Sequence, residues 1–213
     1  MIKIPFREDR REWDCCQRYY RRAIWNTLLE LRPKYSLEIG SYLFQSSSVW
    51  SKFYEEQLPG GHLITCDIAK WSNSPPPPNV TQVMVYPHID NIADNHGGIN
   101  LYLNNPLAWV GYTLYKNRQL IDISMQQQSI EYFDLVFVDG DHSKTSFRTD
   151  LRIAQGLTWF DGYILIDDIN DMNNPEQVAY YQELKTKGNE FYEFDDWEIN
   201  PGMALIQNKE LTL

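Results

Sequence analysis

Two apolar runs, each ending in carboxylates, constrain this chain more than any other feature. Leu135-Val136-Phe137-Val138 runs into Asp139-Gly140-Asp141-His142, and Tyr163-Ile164-Leu165-Ile166 runs into Asp167-Asp168. Uninterrupted β-rich runs of this length read as strands buried on both faces of a parallel sheet. The acids then stand where each strand leaves the sheet. In open α/β sheets that edge binds ligands.

The rest of the chain supplies the partners such strands need. Residues 9 to 32 are predicted to form an amphipathic helix, because Trp13, Cys16, Tyr20, Ile24, Leu28 and Leu31 recur at spacings of three and four and Pro33 stops it. Residues 35 to 40 form a first strand, Ser46-Ser47-Ser48 can cap a helix near 47 to 58, and Pro59-Gly60-Gly61 turns into a second strand, His62 to Asp67. Strand, helix and strand in that order make a right-handed parallel unit. Gln119 to Ser124 is predicted as the third strand, Met125 to Tyr132 as a helical crossover, and residues 143 to 157 as the helix after Asp139. Asp161-Gly162 is predicted to turn into the fifth strand. Pro175 opens a further helix, Gly188 closes it, and Asn200-Pro201-Gly202 joins a terminal hairpin. Residues 69 to 118 read as an insertion over the site, with a polyproline stretch at Pro75 to Pro78 and one strand candidate at Gln82 to Tyr86. The expected fold is therefore α/β: one Rossmann-like, doubly wound domain over 1–213, helices on both faces, closed by an antiparallel hairpin.

Charge narrows the partners. With 19 Lys+Arg against 29 Asp+Glu the net charge is −10, which disfavours nucleic acid. The early arginines, Arg7 to Arg22, read as a solvated helix face. No apolar run reaches the roughly 20 residues of a membrane helix, and no signal-peptide pattern opens the chain, so a cytoplasmic setting is expected. Three cysteines without metal spacing indicate neither zinc nor a disulfide framework. Oligomeric state is not legible; a homodimer is one option.

In a doubly wound sheet strands one and four become neighbours at the reversal, so Gly40 and Asp139 should face one crevice, with Asp67 on its flank. The chain has neither GxGxxG nor GxxxxGK[ST], which argues against dinucleotides and nucleoside triphosphates. An acid ending strand two can accept both hydrogen bonds of a ribose diol. A cationic adenosine without phosphate suits a crevice lined by Glu38, Asp67 and Asp139, and S-adenosylmethionine has those properties.

LEIGSYLFQSS, Asp67, FDLVFVDGDH and GYILIDDI, in this order and spacing, resemble the class I S-adenosylmethionine-dependent methyltransferases. The branch with catechol-type and small-molecule O-methyltransferases is the most similar, over roughly residues 35 to 68 and 119 to 206. The resemblance implies O-methylation of a small-molecule or sugar hydroxyl. It implies that Glu38, Gly40, Ser41 and Tyr42 line the methionine end of the cofactor, that Asp67 holds the ribose, and that Ser124 and Met125 lie near the adenine. Asp139 would stand beside the amino group or methyl donor. In the metal-dependent members Asp139, Asp167 and Asp168 would bind magnesium, and His142 would be the general base. Phe44 stands where the family often has a further glycine.

Other readings compete. The three acids can be strand-end caps without a metal, and His142 can be structural. Asp139-Gly140-Asp141 is also a DxD, which would suit a glycosyltransferase holding a nucleotide sugar through a divalent ion. A non-catalytic relative that keeps the fold as a binding module is the third option.

Overall fold

A computed structural model describes residues 4, 18–41, 43–67, 74–84, 121–194 and 202–213. Its elements are α1 (Arg18–Leu31), β1 (Tyr35–Ile39), α2 (Ser47–Glu56), β2 (His62–Asp67), β3 (Val80–Met84), α3 (residues 121–128), β4 (Phe133–Val138), α4 (Lys144–Leu157), β5 (Thr158–Asp167), α5 (Pro175–Thr186), β6 (Tyr192–Glu193) and β7 (Met203–Gln207). The sheet order is β3-β2-β1-β4-β5-β7-β6. β1 to β5 run parallel and β7 is antiparallel to both β5 and β6. β1 and β4 are neighbours, so the reversal falls where the sequence places it.

The side-chain period of two assigns each strand's residues to two cores. Leu37, Ile39, Val136, Val138, Ile164 and Ile166 pack with α3, α4 and α5 on one face. Leu135, Phe137 and Leu165 pack with α1 and α2 on the other. Trp50 of α2 is fully buried with its ring centroid 5.4 Å from that of Phe137. A buried aromatic of this size contributes roughly 3 kcal/mol, and here it fixes α2 against β4. This matters for function because α2 opens on the loop that leaves β1.

Four details differ from the sequence expectation. The third strand is Val80–Met84, paired in parallel with β2, so the strand candidate at Gln82 to Tyr86 is in the sheet over residues 82–84 and takes the place expected of Gln119 to Ser124. Residues 121–128 are helical instead. Ile121-Asp122-Ile123-Ser124 alternates like a strand, but Ile121 and Met125 are buried while Ile123 is 50% exposed, which is the helical period. β5 begins at Thr158, with a register shift against β4 near Phe133, so Asp161-Gly162 lies inside the strand rather than before it. Ser46 precedes α2 without capping it through its side chain.

The N-terminal helix is described from Arg18; Trp13 and Cys16 lie outside the described residues, as do most of 69–118 and the Asn200-Pro201 turn. No helix among the described residues is long and apolar enough to cross a membrane.

Candidate active site at the β1–β4 reversal

β1 alternates, so Ser36 and Glu38 point to the α2 face while Leu37 and Ile39 enter the opposite core. Glu38 is wholly buried. The hydroxyls of Ser46 and Ser47 donate to its Oε1 and Oε2, and Thr65 Oγ1, its register partner on β2, donates to Oε2 at 2.6 Å. Burial pushes the Glu38 carboxyl above its usual range, against the pull of these three hydroxyls. Glu38 therefore ties the loop and the start of α2 to the sheet, and the serines expected to cap the helix serve it instead. A wholly buried carboxyl with these partners shapes the loop that leaves β1.

Gly40 follows, with φ 96, its N–H donating to Cys66 O at 2.8 Å. A Cβ here would stand 1.8 Å from the Asp139 carbonyl oxygen. Only glycine lets the two strand ends approach this closely. Ser41 N donates to Asp67 Oδ2 at 2.9 Å, and Ser41 Oγ lies 3.4 Å from the same oxygen. Asp67, at the end of β2, thus orders the loop that leaves β1. Tyr42 lies outside the described residues. Phe44 is buried and holds φ 60, a left-handed backbone that glycine would adopt freely. The strain costs about 1 kcal/mol.

Ser124 and Met125 are not at a strand end. They sit on the buried face of α3, with Met125 in the hydrophobic core. The premise that put them beside an adenine is gone, because the true third strand ends at Met84.

The acids converge as expected. Asp139, Asp167 and Asp168 each offer an oxygen, and these oxygens lie within 4.8 Å of one another. Asp167 Oδ1 is buried and accepts no hydrogen bond from the described residues. Burial raises the Asp167 carboxyl well above its usual range, and Asp139 and Asp168 raise it further. Burial also raises Asp168, although His142 opposes this. Asp168 holds φ 57, a left-handed turn that aspartate tolerates better than most residues. An orphaned buried oxygen among mutually repelling carboxylates fits a divalent cation of oxygen-only preference, whose bonds are roughly 2.0–2.6 Å.

His142 stands beside this cluster, its Nδ1 3.4 Å from Asp168 Oδ2 and 2.9 Å from Gln177 Oε1. Gln177, in the first turn of α5, is buried and donates from Nε2 to the Asp167 carbonyl at 2.6 Å. Sequence reasoning missed it, since a lone glutamine in a helix carries no motif. Asp141, the second acid of the DxD, is not in the metal-type cluster. Its Oδ2 accepts from Ser143 Oγ at 2.8 Å, and Ser146 also bonds it. That arrangement does not make Asp139-Gly140-Asp141 a two-acid chelate.

Asp150 is a further buried acid. Its Oδ2 lies 2.6 Å from where a Cβ on Gly140 would be. Burial, helped by Asp141, pushes its carboxyl from 3.8 up to about 8. Folding near neutral pH must therefore take up a proton, at a cost of about 4 kcal/mol at most. A raised carboxyl leaves stability highest below its unfolded value and lowers it as pH climbs toward the folded value. Asp150→Asn should thus raise the unfolding free energy, with a gain that widens from about pH 4 to about pH 8 and then levels off. Urea melts across that range check it; a gain independent of pH would refute the buried-charge account.

Comparisons with known proteins agree with this architecture. A family profile described as "Methyltransferase domain" matches residues 37–169. No curated protein matches the chain in sequence. Among solved structures, the O-methyltransferase TomG from Streptomyces achromogenes, in complex with SAM, is similar at 13% identity and TM-score 0.56, covering 91% of this chain and 81% of that one. The O-methyltransferase from Bacillus cereus, in complex with SAH, is similar at 11% identity and TM-score 0.52, covering 91% and 82%. At these identities the likeness is one of fold.

Proposed function

Because this chain belongs to the methyltransferase-domain family, we propose that it transfers a methyl group from S-adenosylmethionine to a hydroxyl of a small molecule, with a divalent cation at Asp139, Asp167 and Asp168. One observation carries the reading: the glycine loop at Gly40, packed on the Asp139 backbone, and the three-acid cluster meet through Asp139 at the β1–β4 reversal. The solved structures of like fold that are O-methyltransferases with SAM or SAH support it. Residues 1–213 are read as one such domain.

S-adenosylmethionine, when bound, would supply a methyl group on a sulfonium whose sulfur can keep the C–S electron pair. Gly40 lets the loop after β1 lie against the Asp139 backbone, Ser41 and Asp67 would hold that loop beside the cofactor's ribose, and Glu38 anchors it to the sheet. Magnesium at the three acids would polarise an acceptor hydroxyl. His142 accepts the hydroxyl proton, so that the oxygen attacks as its anion. The rest of catalysis is positioning of two reactants in line. A saccharide acceptor remains within this class, since only a hydroxyl is required.

Calorimetry with S-adenosylhomocysteine tests the reading, with and without magnesium. Binding at micromolar ligand is expected, and silence at millimolar ligand would sink it. Turnover should stop in chelator and return with magnesium. Turnover undiminished by chelator would leave the three acids as strand-end caps. Metal affinity should also rise with pH, because the raised carboxyls of Asp167 and Asp168 must lose protons to bind a cation.

A further inference from the structure

We propose that Gln177 is a positioning residue that fixes His142 as the Nδ1–H tautomer, leaving Nε2 as the nitrogen that takes the acceptor's proton. The inference deepens the methyl-transfer reading and rests on it for the chemistry, but its geometry stands without it. A backbone carbonyl can only accept a hydrogen bond, so the group that Gln177 turns to Asp167 O at 2.6 Å is its amide NH2. That choice leaves Oε1, an acceptor, facing His142 Nδ1 at 2.9 Å. The contact is a hydrogen bond only if Nδ1 carries the proton. Asp168 Oδ2, 3.4 Å from the same nitrogen, is a second acceptor and agrees. A neutral imidazole with a proton on Nδ1 has its lone pair on Nε2.

The glutamine is well held for this task. It is only 3% exposed, so solvent does not compete for its amide. Its neighbour Glu176 accepts from Lys144 N at 3.0 Å through Oε2. Two adjacent residues of α5 thus clamp the loop that carries His142, while one of them also grips the end of β5 at Asp167. The histidine ring and a metal-ligating strand end are set by one side chain. Partners that orient a site group in this way typically matter by about tenfold to a hundredfold in activity.

The test is a long-range ¹⁵N–¹H spectrum of the full chain, at a pH where imidazoles are neutral, with His142 assigned by its loss in His142→Asn. In the wild type the protonated nitrogen should be Nδ1, against the preference of free imidazole side chains for Nε2–H. Gln177→Met, which keeps the shape and removes both bonds, should move the proton to Nε2. Gln177→Glu keeps an acceptor toward His142 and should retain Nδ1–H. In turnover, Gln177→Met should lower kcat about tenfold to a hundredfold with KM for the cofactor within about twofold, since the proton acceptor and not the cofactor loop is disturbed. An Nε2–H wild type overturns the proposal. So does an unchanged tautomer in Gln177→Met, which would assign the role to Asp168. A wild type without methyl transfer would defeat the functional reading alone, because the tautomer is read without turnover.

Discussion

Asp167→Asn is expected to make the metal-free protein more stable and the enzyme inactive. The wild-type carboxyl is fully buried, faces Asp139 and Asp168, and is raised well above its usual range. Its Oδ1 has no hydrogen-bond partner among the described residues. A carboxyl raised on folding leaves stability greatest below its unfolded value and lowers it as pH rises toward the folded one. Asparagine does not titrate, so the difference between variant and wild type should widen with pH. A gain of about 1–3 kcal/mol near neutral pH is expected, a shift of roughly 2–10 °C for a chain of this size. Magnesium should reverse the order, stabilising the wild type by mass action and leaving the variant unmoved. Activity should fall by about a thousandfold, since a neutral amide is a poor ligand for a hard cation. Thermal melts in chelator and in magnesium, each at several pH values, check all of this. A variant that is less stable in chelator at every pH would show that Asp167 is a structural acid with partners, and not a waiting ligand.

Gly40→Ala should abolish cofactor binding and weaken the fold. The backbone at φ 96 already disfavours any side chain, by about 1–2 kcal/mol. The added methyl would stand 1.8 Å from the Asp139 carbonyl oxygen and 2.5 Å from its carbon. Neither is a flexible side-chain end, so β1 and β4 must part at the point where the cluster acid Asp139 begins. Overpacking of this kind costs about 1–3 kcal/mol more. A loss of about 2–5 kcal/mol in urea melts is expected, together with no detectable S-adenosylhomocysteine binding by calorimetry. Gly60→Ala is the control: its φ is 89, yet nothing lies within 4 Å of the added atom, so it should show the backbone penalty alone and keep the cofactor. Equal effects in the two variants would mean that strain, not the close approach to Asp139, makes Gly40 necessary.

Residue type and order alone determined the frame of this protein. The buried runs of β4 and β5, each ending in acids, require a parallel sheet with carboxylates at one edge, because uninterrupted apolar strands can be satisfied only between two helical layers. Right-handed crossovers then bring β1 beside β4, so Gly40, Asp139, Asp167 and Asp168 were legible before any coordinates. Local pattern failed where the same residues suit two periods. Ile121-Asp122-Ile123-Ser124 alternates like a strand, and only packing of Ile121 and Met125 against the sheet makes it a helix. Val80–Met84 follows a polyproline stretch and pairs with β2 through a register that no short-range signal specifies. Tertiary structure alone decided three matters at the candidate site. Glu38 is a buried strut, because the α2 face of β1 brings three hydroxyls to it. Phe44 takes a left-handed turn, because the loop between Ser41 and Ser48 closes on its own backbone. Gln177 reaches His142 across 35 positions of sequence, a contact that exists only because α5 docks its first turn against the ends of β4 and β5. Hydrogen bonds between elements distant in sequence carry no periodicity, and so the groups that orient the site had to be found in three dimensions.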